Sequence, residues 1–300
     1  VCSADLGPGK IRVAKSMVMD LGRMDGPVLV FGGPHSNLEE TEAILAKAKR
    51  IGIPPARVIC TGDVVAFCGD PQATADLVRE SGIAVVRGNC KESFGAGGDD
   101  CGCGFEEGSQ CNLLSVQWFS YASAHLNDDI CAWMRDLPPR IDFQLGERTL
   151  CAVHGAVSSV NEFIFPSTSD GEIRKELDLA GTDGVICGHS GLPFTRVIDG
   201  RLWHNAGVVG EPANDATPRV WYSVLSPAAD GIEVDLRALD YDHATAAAKM
   251  RERGLPEGYA ANLATGIYPT MEYLPEAEIA RQGIPLEPNS LLWPAPVAVG

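Results

Sequence analysis

No apolar run in the 300-residue sequence approaches the roughly 20 residues that a membrane-spanning helix requires, which excludes an integral membrane protein of the helical kind. The first residues, VCSADLGPGK, have neither the basic start nor the apolar stretch of a secretory signal, so the expected compartment is the cytoplasm. They also begin without Met, an absence consistent with a removed or omitted upstream segment. Basic side chains are scarce: 24 Lys and Arg stand against 40 Asp and Glu, for a formal net charge of −16 and a pI near 4.7. A surface that negative repels polyphosphate backbones, which argues against nucleic-acid and anionic-membrane partners. A small phosphorylated substrate stays admissible, because a bound divalent cation reverses the local field. There is no internal repeat and no long low-complexity segment. The hydrophobic share of 45% is that of an ordinary globular chain, long enough for one elaborated domain or a domain with an appendage.

Cysteine, by contrast, is plentiful, with ten residues. Six (Cys2, Cys60, Cys68, Cys131, Cys151 and Cys187) are scattered, mostly in apolar stretches such as VIC and LCAV, and read as small core hydrophobes of a reducing compartment. The other four fall together in NCKESFGAGGDDCGCGFEEGSQC as Cys90, Cys101, Cys103 and Cys111. Four thiolates in about twenty residues can close a tetrahedral Zn²⁺ site or, with less support, hold iron–sulfur. The spacing lacks the familiar C-x2-C pairing. A flexible acidic insert with unpartnered thiols and a redox role for Cys101-Gly102-Cys103 are the competing readings.

Hydrophobic periodicity gives the organisation. Pro27–Phe31 reads as a buried strand ending at Gly32-Gly33-Pro34, and Asn37 caps a helix with acidic residues first and basic residues last. Arg57–Cys60 is a second strand ending at Thr61-Gly62-Asp63, a helix follows over about 71–79, and Ile83–Val86 is a third strand ending at Gly88-Asn89-Cys90. Strand–loop–helix units in series predict a largely parallel α/β sheet. After the insert at about 90–112, helical patterns occupy about 113–136, strands lie near 141–145 and 149–153, and a helix near 170–180 precedes Gly184–Cys187. From 193 to 237 the pattern is strand-like, and a helix over about 242–253 leads to a Pro-rich tail. The expected divisions are an extension over 1–27, a domain over 28–237 and an appendage over 238–300 that caps the site, mediates a homo-oligomer or braces the sheet.

Five strand-like segments end in a polar residue beside a glycine: Gly33/His35, Asp63, Asn89, His154 and His189. Ligands sit at the carboxyl ends of strands in open α/β sheets, and His, Asp, Asn, His, His is a metal-site composition. His204 has two readings, cavity lining or a structural strand-end residue. His125 and His243 read as surface residues, and Trp203, Trp221 and Tyr222 as strand-face core.

The series Gly33-Pro34-His35-Ser36-Asn37, Gly62-Asp63, Gly88-Asn89, His154-Gly155 and Gly188-His189 resembles the five-motif signature of calcineurin-like metallophosphoesterases. The likeness runs from about 28 to 225, and Asn205–Gly210 resembles the turn after the last motif in the small bacterial branch. It implies a four-layer α/β/β/α sandwich of two mixed sheets and hydrolysis of phosphomonoesters, phosphodiesters or nucleotides with two bridged divalent ions. The sequence departs from the pattern at three places. Gly33 stands where the first motif has Asp, Gly191 where the last has a second His, and Cys90 where the third motif has a His that contacts phosphate. Carried over residue by residue, one metal keeps all four ligands, Asp63, Asn89, His154 and His189, and the other loses two of four. The resemblance therefore implies a reduced, mononuclear site for Mn²⁺, Zn²⁺ or Fe²⁺, with His35, Asp63 and Cys90 about the reacting groups. Its alternative is a weakly active or inactive relative that senses a metal or phosphorylated ligand or binds a partner.

Overall fold

A computed structural model describes residues 18–90, 94 and 106–296. Two six-stranded mixed sheets face each other. The first has the order β1-β5-β6-β7-β9-β8, from Val18–Met24 (β1), Arg140–Leu145 (β5), Arg148–Ala152 (β6), Gly184–Cys187 (β7), Arg201–Asn205 (β9) and Phe194–Ile198 (β8). The second has the order β12-β11-β10-β2-β3-β4, from Asn289–Pro294 (β12), Gly231–Leu239 (β11), Val220–Ala228 (β10), Val28–Phe31 (β2), Val58–Cys60 (β3) and Ala84–Val85 (β4). Val28, Val30 and Ile59 from the second sheet pack against Ile141, Phe143, Leu150 and Ile186 from the first, and this shared apolar layer is fully dry at most positions. Helices cover both outer faces. Leu38–Arg50 (α1), Pro71–Ser81 (α2), Gln110–His125 (α3), Asp128–Asp136 (α4), His243–Glu252 (α6) and Glu257–Thr265 (α7) lie on the second sheet, and Asp170–Ala180 (α5) on the first. The four-layer α/β/β/α sandwich is thus the fold that the resemblance of the motif series implies.

Local chemistry explains the boundaries. Asn37 caps α1 by accepting the Glu40 backbone N–H at 3.3 Å, and α1 closes on Lys47, Lys49 and Arg50 at its negative end. α2 starts on Pro71 and stops at Gly82 in the left-handed region, φ 70°. The helical patterns expected over about 113–136 are two helices, because Asn127 accepts the Ile130 N–H and starts α4 afresh. Ser169 and Glu172 form a reciprocal capping box on α5.

Both ends of the described chain join the sandwich. Val18–Met24, within the expected N-terminal extension, pairs in parallel with β5 as an edge strand. The C-terminal segment is not only helical: β12 pairs antiparallel with β11, and its Trp293 is buried between the sheets with Nε1 donating to the Gly200 carbonyl at 2.9 Å. α6 is pinned to the first two helices through Lys249, which pairs with Glu39 and with Asp70. No helix among the described residues is long and apolar enough to cross a membrane.

Candidate metal centre

The strand ends converge as the motif series implies. His35 follows β2, Asp63 follows β3, Asn89 lies beyond β4, His154 follows β6 and His189 follows β7. The turns that present them are held in uncommon backbone conformations: His35, Ser36, Asp63 and His189 have φ of 52°, 65°, 48° and 61°. Non-glycine residues in that region persist only where the surroundings over-determine them. Here the His35 N–H donates to the Asp63 carbonyl, Ser36 N–H to the Val64 carbonyl and Gly188 N–H to the His154 carbonyl, at 2.8–3.1 Å. Gly88 lets Asp63 approach, since a Cβ at 88 would lie 2.0 Å from Asp63 Oδ1.

His154 is the hub. Its Nδ1–H donates to the Thr61 carbonyl at 2.7 Å, which turns Nε2 toward the cavity. Around that nitrogen stand Asn89 Oδ1 at 2.9 Å, Asp63 Oδ2 at 3.1 Å and His189 Nδ1 at 3.1 Å. Asp63, His154 and His189 alone form a three-residue group with ligand atoms close enough for one ion, among the described residues. Burial by itself would raise the Asp63 carboxyl, but the charge of and hydrogen bond from His154 hold it well below the carboxylate range. The same pairing outweighs burial at His154 and pushes that imidazole up. Burial and the neighbouring His154 charge push His189 down to about 3. An amide oxygen, a carboxylate and two imidazoles converging on one point, with the hub ring oriented by a backbone carbonyl, fit a divalent transition ion and its usual outer-shell support.

The side of the cavity around Gly33 and Gly191 is built differently. A Cβ at Gly33, where the resemblance leads one to expect Asp, would sit 2.0 Å from His35 Nε2, so the His35 ring itself fills that space. A Cβ at Gly191, where a second His is expected, would lie 2.7 Å from the Tyr268 hydroxyl and 3.7 Å from Glu211 Oε1. Glu211 reaches in from the loop after β9, its Oε1 3.9 Å from His35 Nδ1 and its Oε2 accepting from Asn262 Nδ2 at 3.0 Å. Burial pushes the Glu211 carboxyl up to about 8 and pushes His35 down to about 4. Neither Glu211 nor Tyr268 has a signal in the sequence. The only hint is that Glu211 directly follows Asn205–Gly210, where Asn205 Nδ2 donates to the Gly188 carbonyl and Ser190 Oγ and so ties that turn to the His189 loop.

Two of the four clustered cysteines fall on described residues. Cys90 and Cys111 are both buried and both line the cavity above Asp63 and His189, and Cys101 and Cys103 lie outside the described residues. The Cys111 N–H donates to Glu272 at 3.1 Å and its thiol faces Thr270. Burial, followed by the charge of Asp63, pushes the Cys90 thiol well up, so it is no thiolate nucleophile. His204 is structural: buried between the sheets, it bonds Thr195 Oγ1 at 2.9 Å and Ser223 Oγ at 2.8 Å. His125 is exposed, and Trp203, Trp221 and Tyr222 are core.

Residues 27–226 match the calcineurin-like phosphoesterase superfamily domain, which spans two thirds of the chain. The chain belongs to that superfamily. Similar solved structures include a metallophosphoesterase from Sphaerobacter thermophilus, with a TM-score of 0.62, 23% identity, and 84% of this chain and 100% of that one covered. A hypothetical protein from Pyrococcus horikoshii OT3 has a TM-score of 0.67 and 17% identity over 81% and 99% of the two chains. At those identities the likeness is one of fold. No curated protein matches. Membership of the superfamily makes the chain a metal-dependent phosphoesterase in the general sense, and the centre described above is where such an ion fits.

Proposed function

We propose that the protein hydrolyses a small phosphoester at one divalent ion held by Asp63, Asn89, His154 and His189. The observation that carries this reading is the convergence of three ligand atoms within 3.1 Å of His154 Nε2. Such an ion, when bound, polarises a phosphoryl oxygen and lowers the pKa of a coordinated water. The chain's own residues do the rest. The Thr61 carbonyl holds the His154 ring in one orientation, and Asp63, ionised throughout the neutral range, accepts a hydrogen bond from the attacking water. His35, kept neutral by burial, faces Glu211 across 3.9 Å and orients water or substrate on the remodelled side. Cys90, as a thiol, offers only a weak S–H donor beside Asn89.

Element-resolved metal content of the wild type and His189→Ala tests the site. One equivalent of Mn, Zn or Fe lost in the variant supports it, and no loss sinks it. Metal remaining in both proteins would point to the cysteines of 90–111. Turnover of p-nitrophenyl phosphate and bis(p-nitrophenyl) phosphate, abolished by Asp63→Asn, supports hydrolysis. The refilled positions at Gly33 and Gly191 favour a second reading, a fold relative that binds its ion and ligand without turnover, and that reading stands if neither ester is cleaved by metal-loaded protein.

A further inference from the structure

His189 stands in the turn after β7 with φ 61°, and the orientation of its ring decides whether it can be a ligand. Half a turn about the Cβ–Cγ bond exchanges Nδ1 with Cδ2 and Nε2 with Cε1, so the flipped ring presents carbon where the other presents nitrogen. Two contacts from the loop over 158–168 select the orientation. The Asn161 carbonyl oxygen lies 3.2 Å from His189 Nε2. A carbonyl only accepts, so Nε2 carries the proton, and Nδ1, 3.1 Å from His154 Nε2, keeps its lone pair. Phe163 lies over the same ring, 4.2 Å between centroids and 24° between planes. The stack fixes the plane of the imidazole but tolerates either flip, and the carbonyl then distinguishes the two flips.

The loop that makes these contacts is seated at both ends. Its start folds back on Gly155, where a Cβ would meet the Val160 and Glu162 carbonyl oxygens at 2.6 and 2.7 Å. Its end is held by Glu278, a buried carboxylate whose Oε1 accepts the Ser167 N–H at 2.9 Å and whose Oε2 accepts the Ser167 hydroxyl at 2.7 Å. Between these anchors Phe163 stacks on Phe165 at 5.7 Å and 6°, and Tyr273 tilts against Phe163 at 5.3 Å. Phe165, Tyr268 and Leu274 are the buried middle of this cluster, which is separate from the inter-sheet core. Tyr268, Tyr273, Leu274 and Glu278 all lie beyond residue 226, where the superfamily match ends.

We propose that Phe163 and, through it, Tyr273 are positioning residues that hold His189 with Nδ1 aimed at the centre, so that the C-terminal segment serves the metal site through a ring stack. The consequence for an ion rests on the one-ion reading above, whereas the ring orientation is a property of the metal-free chain. A freed imidazole must be ordered again each time an ion binds, and losing an outer-shell support of a ligating residue typically weakens metal binding 10–100-fold.

Nitrogen NMR of the metal-free, ¹⁵N-histidine-labelled protein at pH 8 reads the orientation, and a Co²⁺ titration reads its consequence as a dissociation constant and a visible spectrum. The wild type is expected to show His189 as a single Nε2–H tautomer. Phe163→Leu is expected to mix the tautomers, weaken Co²⁺ about tenfold or more and alter the visible spectrum. Tyr273→Leu, farther from the ligand, is expected to weaken Co²⁺ several-fold, and it carries the test if Phe163→Leu does not fold. Phe163→Tyr keeps a ring and is expected to restore all three readouts. Leu variants with the wild-type tautomer, affinity and spectrum overturn the proposal, as does a tautomer mixture in the wild type. Failure of the one-ion reading is a different result: the wild type shows the single tautomer, so the clamp stands, but takes up no Co²⁺.

Discussion

The two halves of the centre use the same strand-end turns and have opposite fates. On one side Asp63, Asn89, His154 and His189 place their ligand atoms around a single point, with the hub ring fixed by a backbone carbonyl. On the other, Gly33 and Gly191 carry no side chain, and the space beside them is taken by the neighbouring His35 ring, the Tyr268 hydroxyl and the Glu211 carboxyl. The difference teaches that a glycine at a strand-end turn does not leave a hole. Close packing fills the space with whatever lies nearest, and the filling groups then decide the chemistry there.

The sharpest way to break this contrast is Asp63→Asn. It removes the charge on the intact side, and turnover of bis(p-nitrophenyl) phosphate is expected to fall by at least about 100-fold, beyond the 10–100-fold typical of losing an outer-shell partner. Retained activity would mean that the intact half is not the working half.

Restoring the lost side chains sharpens the comparison from the other side. Gly33→Asp must displace the His35 ring, and Gly191→His must adopt φ 72° against Tyr268. Each is expected to destabilise by about 1–3 kcal/mol, as overpacking does, without adding a second equivalent of metal. A thermal melt and element analysis check both parts, and a variant that binds two ions at wild-type stability would show that the refilled half is plastic.

Glu211→Gln addresses the filling group itself. A carboxyl whose folded pKa is raised to about 8 keeps its proton in the native state over a range where the unfolded chain has lost it. The native protein then binds more protons than the unfolded one between the ordinary Glu pKa, about 4.3, and about 8, so stability falls as pH rises through that window, by up to ~1.4 kcal/mol per unit. The variant is expected to melt higher than the wild type at pH 8 and to gain little at pH 4. Parallel melting curves across the two pH values would remove Glu211 from the account.

The smallest effect is expected away from the centre. Ser223→Ala leaves His204 without its partner on the facing sheet and should cost about 1 kcal/mol, with metal content unchanged. A loss of metal in that variant would mean the two sheets transmit strain to the site.

The cluster of Asp63, Asn89, His154 and His189 was legible in the sequence because each is a polar residue in the turn just beyond an apolar strand and beside a glycine. Such a motif spans only a few residues, and the order of motifs follows from the strand–loop–helix rhythm. The α1 boundaries were legible for the same reason, since Asn37 and the charge gradient along the helix act within a turn of the backbone. The edge strands β1 and β12 were not. Val18–Met24 is exposed at most positions and carries no alternation that separates it from a loop, and β12 is a strand because β11 offers it a free edge.

By itself, then, the sequence determined which polar side chains stand in the strand-end turns and that positions 33 and 191 are glycine, because those are properties of residue identity at local turns. Only the tertiary structure decided what packs against those glycines and what walls the cavity. Glu211 and Tyr268 meet the loops of His35 and Gly191 across separations of about 20 to 180 residues in the chain. Contacts of that range depend on how two sheets and a C-terminal segment pack, and no periodicity or motif in the chain encodes the direction in which such a side chain points.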